Sequence, residues 1–441
     1  MSQLRESIQG AVLEQPQEPI NIGKYLGSGA QGEVFEVSIK QSTFALKWYF
    51  PKMASKQQRS AIRKLIEMGA PSDKYLWPIE MATTKNDFGF GYIMPLRENR
   101  FCSIADIYSR KASLNMWVLS TFCLNLVDAF SDLHLKGFAY KDIKSENVFF
   151  DPLTGDCCIC DCDNITPDGQ SHDGIIGTLG YSAPEIDRGE ANPSIRTDLY
   201  SLAVLIFKVL FLHHPLEGIK ETAIKILDTP ARHRLYSYDP IFIFDPKNKS
   251  NRPDPLHHQT VLAHWPIYPH FLQKLFIQAF TVGLHDPDQR VRESIWRKAL
   301  AKLRDAIVVC SCGAQNFFDF EIGKVPPKGI CWYCQKPIPI PFHLQIGNDH
   351  NIILNSQTTL FPHHLENGKP FDFTSELAKV INHPTVPNLW GLKNLSRRNW
   401  IMNTPDRQQK EIPPGKSVAL GNNIHIRFGG KDGMILCQSN N

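Results

Sequence analysis

The chain has little that would place it in a bilayer or on nucleic acid. Its longest apolar stretch, Leu202 to Leu212, is broken by Lys208 and falls well short of the roughly 18 uncharged residues that a membrane span needs. No transmembrane helix and no membrane partner are expected. The opening residues, Met1 to Gly10, carry charges but neither an apolar core nor a small-residue cleavage site, so a cytoplasmic protein is the default expectation. Excess charge of one sign is also scarce. The 48 basic and 44 acidic residues leave +4, too small and too dispersed for the clustered basic stripe of a nucleic-acid surface. Disulfide pairing is disfavoured as well, because eleven cysteines are an odd number in a chain with no export signal. No repeat at a fixed period of about 20 to 50 residues is evident.

What is present fits a folded chain of about three domains, with 441 residues, 42% of them hydrophobic and 21% charged. The first 16 residues are polar and Pro-containing and are expected to fray. From near Ile20 to about Asp87, strand-like runs (Val34 to Ile39, Thr43 to Tyr49) alternate with one basic helix whose Ile62, Leu65 and Ile66 follow helical spacing. A small sheet with a helix laid across it is expected there. Long helical stretches follow: Leu114 to Leu135, Leu199 to Leu212, Phe271 to Phe280 and Arg292 to Ala306. Between them His233 to His264, rich in Asp, Pro, Asn and His, reads as a poorly ordered surface excursion. The composition changes at about Val308, and from about Pro341 the pattern is strand-like with turn signals.

The chemistry begins at Gly27-Ser28-Gly29-Ala30-Gln31-Gly32-Glu33-Val34, followed by Lys47 in Phe44-Ala45-Leu46-Lys47. Glycines let a hairpin backbone lie against phosphates, and a strand lysine can pair with their oxygens. The strand-turn-strand context disfavours a dinucleotide-binding Rossmann unit, which needs a helix after the turn. Further on, Tyr140-Lys141-Asp142-Ile143-Lys144-Ser145-Glu146-Asn147 precedes Asp161. Phosphoryl transfer needs an acceptor for the attacking hydroxyl's proton and oxygen ligands for a divalent cation. Asp142, Asn147 and Asp161 supply those types in that order.

On these residues the chain resembles the eukaryotic-type (Hanks-type) Ser/Thr protein kinases, whose catalytic loop reads H-R-D-x-x-x-x-N and whose metal motif reads D-F-G. Gly177-Thr178-Leu179-Gly180-Tyr181-Ser182-Ala183-Pro184-Glu185 looks like the end of the family's activation segment, Asp198 like its buried helix aspartate, and Arg290 like the late arginine that pairs with Glu185. The resemblance covers roughly residues 20 to 305. It implies an α+β, bilobal kinase fold over residues 17–306 (lobes 17–95 and 96–306) that binds ATP with Mg²⁺ or Mn²⁺. Lys47 would contact the α- and β-phosphates, Asp142 would be the catalytic base, Lys144 would touch the γ-phosphate, and Asn147 and Asp161 would hold the cation. Gly27, Gly29, Gly32, Val34, Ala45, Met94 and Leu96 would line the nucleotide site, the last two at the hinge. Lys144 matches the Ser/Thr pattern, and protein hydroxyls are the implied substrates. The chain departs from the family at Tyr140-Lys141, where control by a phosphorylated activation segment through Arg is not expected. It departs again at Asp161-Cys162-Asp163, which lacks the glycine, and at Glu67, the only acid in the Ser55 to Met68 helix and near its end. Thr178 and Ser171 are candidate autophosphorylation sites.

Cys310-Ser311-Cys312, eighteen residues, then Cys331-Trp332-Tyr333-Cys334 gives four soft ligands in two knuckles, the donor set of a structural Zn²⁺, and resembles a zinc ribbon over 307–340. Cys157, Cys158, Cys160 and Cys162 fall on the strand leading to Asp161 and are read as packing residues. The pairs His213-His214, His257-His258 and His363-His364 are read as surface or cap residues. The β-rich region 341–441 resembles, at Leu392 to Ser396, Ile412 to Lys416 and Ile424 to Gly429, the second half of forkhead-associated β-sandwiches, without their phosphothreonine readers. Similar bacterial kinases with a zinc ribbon imply a PP2C-type phosphatase and a von Willebrand-type domain protein as partners. The competing function is an ATP-binding pseudokinase scaffold that recruits partners through its C-terminal modules. A third, a zinc-ribbon nucleic-acid adaptor, would need a basic C-terminal stripe that the sequence lacks.

Overall fold

A computed structural model describes every residue apart from 1–3, 7, 85–88, 109–114, 171–176, 349, 384, 387–388, 405, 407 and 438–441. The chain divides into two units: residues 1–114, 122–258 and 276–294 form one, and residues 115–121, 259–275 and 295–441 the other.

In the first unit a six-stranded antiparallel sheet runs in the order Ala11–Leu13, Glu80–Thr84, Phe90–Pro95, Ser42–Tyr49, Gly32–Ile39 and Asn21–Ser28. The helix beside it, Lys56–Met68, begins where the Ser55 hydroxyl accepts from the Gln58 backbone N–H at 3.0 Å, and ends at Gly69, whose φ of 72° only glycine adopts cheaply. Ile62 and Leu65 are its buried residues. The described residues among the first 16 do not fray as expected. Leu4, Ile8, Ala11 and Leu13 bury their side chains against Phe35, Val37 and Trp48, and Ala11 to Leu13 pair with Ala82 to Thr84. Four apolar residues spread over ten positions are too few for a periodicity signal, yet they suffice to cover a sheet edge.

The helical part is built around Ile195–Phe211, which starts with a reciprocal cap between Ser194 and Thr197. Phe207 and Phe211 lie ring to ring at 4.5 Å, and Phe276, Phe280 and Phe242 close around Phe207. The segment from His233 onward is thus ordered, contrary to expectation. Phe242 and Ile243 are buried, and the buried Asn251 amide donates to Leu216 O at 2.8 Å and Ile241 O at 2.7 Å. Helix Met116–Leu135 is long and apolar enough to cross a membrane, but 67% of its most apolar window is buried, including Phe122, Leu126, Phe130 and Leu133. An all-round apolar helix of that burial is a core helix.

In the second unit a hairpin, Ile307–Val309 with Gln315–Phe317, precedes a two-layer β-sandwich. One layer runs His350–Ile353, His343–Ile346, Asp432–Leu436, Ile424–Arg427, Trp400–Asn403, Gln409–Ile412; the other runs Thr359–Leu360, Ala378–Asn382, Trp390–Asn394, Ser417–Ala419. Leu344, Ile435, Ile426 and Trp400 from the first layer meet Leu392, Val380 and Val418 from the second, the inward half of each strand's alternation.

Candidate active site

The strand carrying Lys47 sets half of the site. Lys47 lies directly opposite Val34 on one neighbour, and Ala45 directly opposite Met94 on the other. Because opposed residues share a face and i, i+2 residues do too, Val34, Ala45, Lys47 and Met94 stand on one side of the sheet. Leu96 follows the end of the strand Phe90–Pro95. The glycine-rich hairpin closes with Gly29 N–H on Gly32 O at 2.9 Å. A Cβ on Gly32 would sit 2.1 Å from Trp48 O, whereas a Cβ on Gly27 or Gly29 would meet nothing within 4 Å. Gly32 is thus required by its own sheet, and the other two leave open space beside the hairpin backbone.

The second half comes from two loops. Asp198, almost wholly buried, accepts from the backbone N–H of Tyr140 (2.5 Å) and Lys141 (3.0 Å) and from His134 Nε2 (3.2 Å). These bonds hold Lys141 at φ 74°, a left-handed conformation costly for a residue with a Cβ, and so aim the next residue, Asp142. The Asp142 carboxylate accepts from Thr178 Oγ1 at 2.6 Å and pairs with Lys144 Nζ at 2.5 Å, while Lys144 also reaches Thr178 Oγ1 at 3.1 Å. Asn147 donates its amide N–H to Asp142 O at 3.0 Å, which leaves its side-chain oxygen for a cation. Asp161, at φ 57°, turns its carboxylate back to Lys47 Nζ at 2.6 Å. Burial alone would depress Lys47 and raise Asp161; at Lys47 the charges of Asp163 and then Asp161 outweigh it and raise the pKa, and at Asp161 the charge of Lys47 outweighs it and lowers the pKa. Arg290 donates to Glu185 at 2.9 Å and to the carbonyl oxygens of Gly283 and Arg196.

Sequence reasoning missed the rest of the Lys47 surroundings. The ammonium also reaches both oxygens of Asp163, at 2.7 and 2.9 Å, and Gln31 Oε1 at 3.1 Å, and Gln31 in turn donates to Asn164 Oδ1 at 3.0 Å. Tyr49 donates its hydroxyl proton to Asp163, and Gln58 Nε2 donates to Tyr49 Oη and Asp163 O, both at 3.1 Å. Glu67 is exposed. Ser171 lies outside the described residues. Burial pushes the thiols of Cys158 and Cys160 up to about 12 and those of Cys157 and Cys162 higher than usual, so they stay protonated, as packing residues should.

Two clusters outside this site carry metal-ligating atoms. Cys310, Cys312, Cys331 and Cys334 converge, with sulfurs of Cys310 and Cys334 at 3.6 Å and of Cys312 and Cys331 at 3.8 Å. Four thiolates about 2.3 Å from a tetrahedral Zn²⁺ would be about 3.8 Å apart, so the donor set and spacing fit zinc. Burial raises the Cys331 thiol, but N–H groups of Cys334, Tyr333 and Asn316 outweigh it and bring it down to about 6. The other cluster, Asp305, His350, His363 and His364, brings its ligand atoms within 4.8 Å of one another. Here the protons decide. Backbone N–H groups of Phe361 and Phe371 donate to Nδ1 of His364 and His363, each at 2.9 Å, so both neutral rings carry their proton on Nε2. A neutral histidine that binds a metal through Nε2 must carry it on Nδ1. Nε2 of His350 and His364 instead donate to Asp305 at 2.8 and 3.1 Å. The arrangement is a hydrogen-bonded clasp, and the reading of His363-His364 as surface or cap residues gives way at the buried His364 to a bond with Asp305, 59 residues away.

Comparison with known proteins agrees with the site. The protein kinase domain family model matches residues 20–278. The chain belongs to the protein kinase domain family. Membership implies ATP with Mg²⁺ or Mn²⁺ as phosphoryl donor. Protein kinase gsk3 of Schizosaccharomyces pombe is 24% identical over 258 residues, covering 56% of this chain and 66% of that protein. Protein kinase YegI of Escherichia coli (strain K12) is 27% identical over 338 residues, covering 70% of this chain and 48% of that protein. CBL-interacting protein kinase 4 of Oryza sativa subsp. japonica is 34% identical over 100 residues, 21% of this chain and 22% of that protein. The matches thus span about half to two thirds of the length of the first two relatives.

Proposed function

We propose that the chain is an active Ser/Thr protein kinase that transfers the γ-phosphoryl group of ATP to protein hydroxyls. The observation that carries this reading is the triangle that Asp142 and Lys144, on a loop whose strained backbone is held by Asp198, make with Thr178 of the later segment. A carboxylate fixed in this way can accept a hydroxyl proton, and Lys144 beside it offers a positive charge to the phosphoryl oxygens. Thr178 occupies Asp142 Oδ1 where a substrate hydroxyl would have to enter, and leaves the other oxygen to Lys144. ATP brings the transferable phosphoryl group, and its Mg²⁺ neutralises phosphate charge; Asn147 and Asp161 are the residues that would hold that ion. The pseudokinase scaffold reading would be favoured by the loss of Lys47, Asp142, Asn147 or Asp161, and all four stand at this one site.

The four-cysteine knuckle site is assigned to a structural Zn²⁺, since four thiolates leave no open position for catalysis. The β-sandwich is assigned to binding, in line with its resemblance to forkhead-associated domains, and a PP2C-type phosphatase and a von Willebrand-type domain protein are candidate partners of the kinase in cytoplasmic signalling. The deciding experiment is Mg²⁺-dependent transfer from labelled ATP to the protein itself and to a generic basic protein, with Asp142→Asn alongside. Transfer abolished by the substitution supports the kinase. No transfer from the wild type, with ATP still bound by calorimetry, moves the reading to the scaffold.

A further inference from the structure

Protein kinases pair the strand lysine with a glutamate on the neighbouring helix, and this chain offers none there. Glu67, the only acid of helix Lys56–Met68, is exposed and one residue from the helix end. The helix residue that reaches the Lys47 surroundings is the neutral Gln58, which donates to Tyr49 Oη and to Asp163 O. The charge opposite Lys47 comes instead from the metal-motif loop. Asp161 in the left-handed region starts a single 3₁₀ turn, Cys162 to Asn164, and that turn swings Asp163 under the ammonium.

Of the three groups on Lys47, Asp163 differs from the others in one respect. Asp161 is 28% exposed and is the carboxylate the family gives to the cation, and Gln31 is a neutral side chain of the glycine-rich loop. The Asp163 side chain has no exposure at all. A carboxylate so buried cannot turn to solvent or to an incoming cation, and without Lys47 it would be an uncompensated buried charge. Nucleotide phosphates can therefore displace Gln31 and Asp161 from Lys47 but not Asp163.

We propose that Asp163 is the positioning residue for Lys47, supplying from the metal-motif loop the charge that the family places on the helix. The proposal rests on the kinase reading above. It has a regulatory consequence. With the anchor two residues from Asp161, the lysine and the metal carboxylate are placed by the same turn, and displacement of helix Lys56–Met68 does not by itself unpair Lys47.

The test uses the full chain and steady-state transfer from ATP. Asp163→Asn, nearly isosteric but uncharged, is expected to lower kcat roughly ten- to a hundredfold, the size of a lost hydrogen bond to a charged group, with a smaller change in KM for ATP. Glu67→Ala is expected to stay within about twofold of wild type, as exposed substitutions do. Gln58→Glu added to Asp163→Asn returns a carboxylate to the helix beside Tyr49 and is expected to recover at least about tenfold of the loss, since it restores one charged partner; a merely structural role for Asp163 predicts no recovery. Wild-type kcat in Asp163→Asn, an equal loss in Glu67→Ala, or no recovery in the double variant overturns the proposal. Should Asp163→Asn fail to fold, Asp163→Gly, which restores the family residue, is read against the same outcomes. A wild type silent in transfer overturns the kinase reading alone. The variants are then read by affinity for a fluorescent ATP analogue, where loss in Asp163→Asn restored by Gln58→Glu sustains the anchor and unchanged affinity overturns it.

Discussion

His134 gives the molecule a pH dependence whose sign follows from geometry. Its Nε2 faces Asp198 at 3.2 Å and its Nδ1 faces Glu293, so both ring nitrogens meet a carboxylate and the ring is held as imidazolium. Burial opposes that charge, but the hydrogen bonds to Asp198 and Glu293 outweigh it and raise the pKa from the ordinary 6.5 to about 9. The side chain is only 5% exposed, so solvent screens the effect little. A folded-state pKa above the unfolded one contributes stability that is fully present below pH ~6.5 and is lost as pH rises through about 9. A displacement of that size corresponds to about 3 kcal/mol. The assay is urea unfolding of wild type and His134→Gln between pH 6 and 9.5. Thiols and lysines titrating in this window act in both proteins, so the difference between the two isolates His134. That difference is expected to fall by about 3 kcal/mol across the window. A difference that stays flat, or that grows with pH, refutes the imidazolium assignment.

Arg290→Ala strips Glu185 of its partner inside the first unit and removes hydrogen bonds to two backbone carbonyls; a loss of about 3 to 5 kcal/mol in urea unfolding is expected, part of it recovered in the Arg290→Ala, Glu185→Ala double variant. The four-cysteine site is expected to carry one zinc per chain by elemental analysis. Cys331→Ser is expected to release it and to lower the melting temperature, whereas Cys157→Ser leaves the zinc content unchanged.

Most of the candidate catalytic residues were legible because the chemistry they suggest depends on short, local spacing. Asp142, Lys144 and Asn147 sit within one loop, and the structure gathers them with Lys47 and Asp161. Helix limits were legible too where burial is periodic: the stretch expected from Phe271 to Phe280 is observed at His270–Phe280, and the one from Arg292 to Ala306 at Glu293–Asp305. Residues whose role is set by distant partners were not. Asp163 read as a missing glycine, since nothing in Asp161-Cys162-Asp163 says that a carboxylate there meets a lysine 116 positions earlier. Gln31 has no sequence signal of its own, and its role is set by Lys47 and Asn164 on either side of it. The N-terminal residues and the segment after His233 were judged by composition, but their order comes from a few deep anchors: Leu4 and Ile8 in one case, Phe242 and Asn251 in the other.

The two metal-like clusters sharpen the same point. The cysteines announce themselves in sequence because each knuckle is only three or four residues long, a spacing that suits a shared metal ion. Asp305, His350, His363 and His364 come from a helix end, a strand and a four-residue helix, so no spacing could have joined them. Nor does their proximity settle what they do. The backbone N–H groups of Phe361 and Phe371 place the ring protons of His364 and His363 on the nitrogens facing Asp305 and its neighbours, and a protonated nitrogen has no lone pair for a cation. Burial agrees, lowering the His364 pKa and taking that of His363 to about 3, so both rings are neutral at neutral pH. At Cys331 N–H groups donate to the ligand atom itself and favour the thiolate; in His363 and His364 the backbone donates to the opposite nitrogen and disfavours ligation through Nε2. Two clusters of metal-ligating atoms thus differ in their fitness for a cation on the direction of a few N–H bonds.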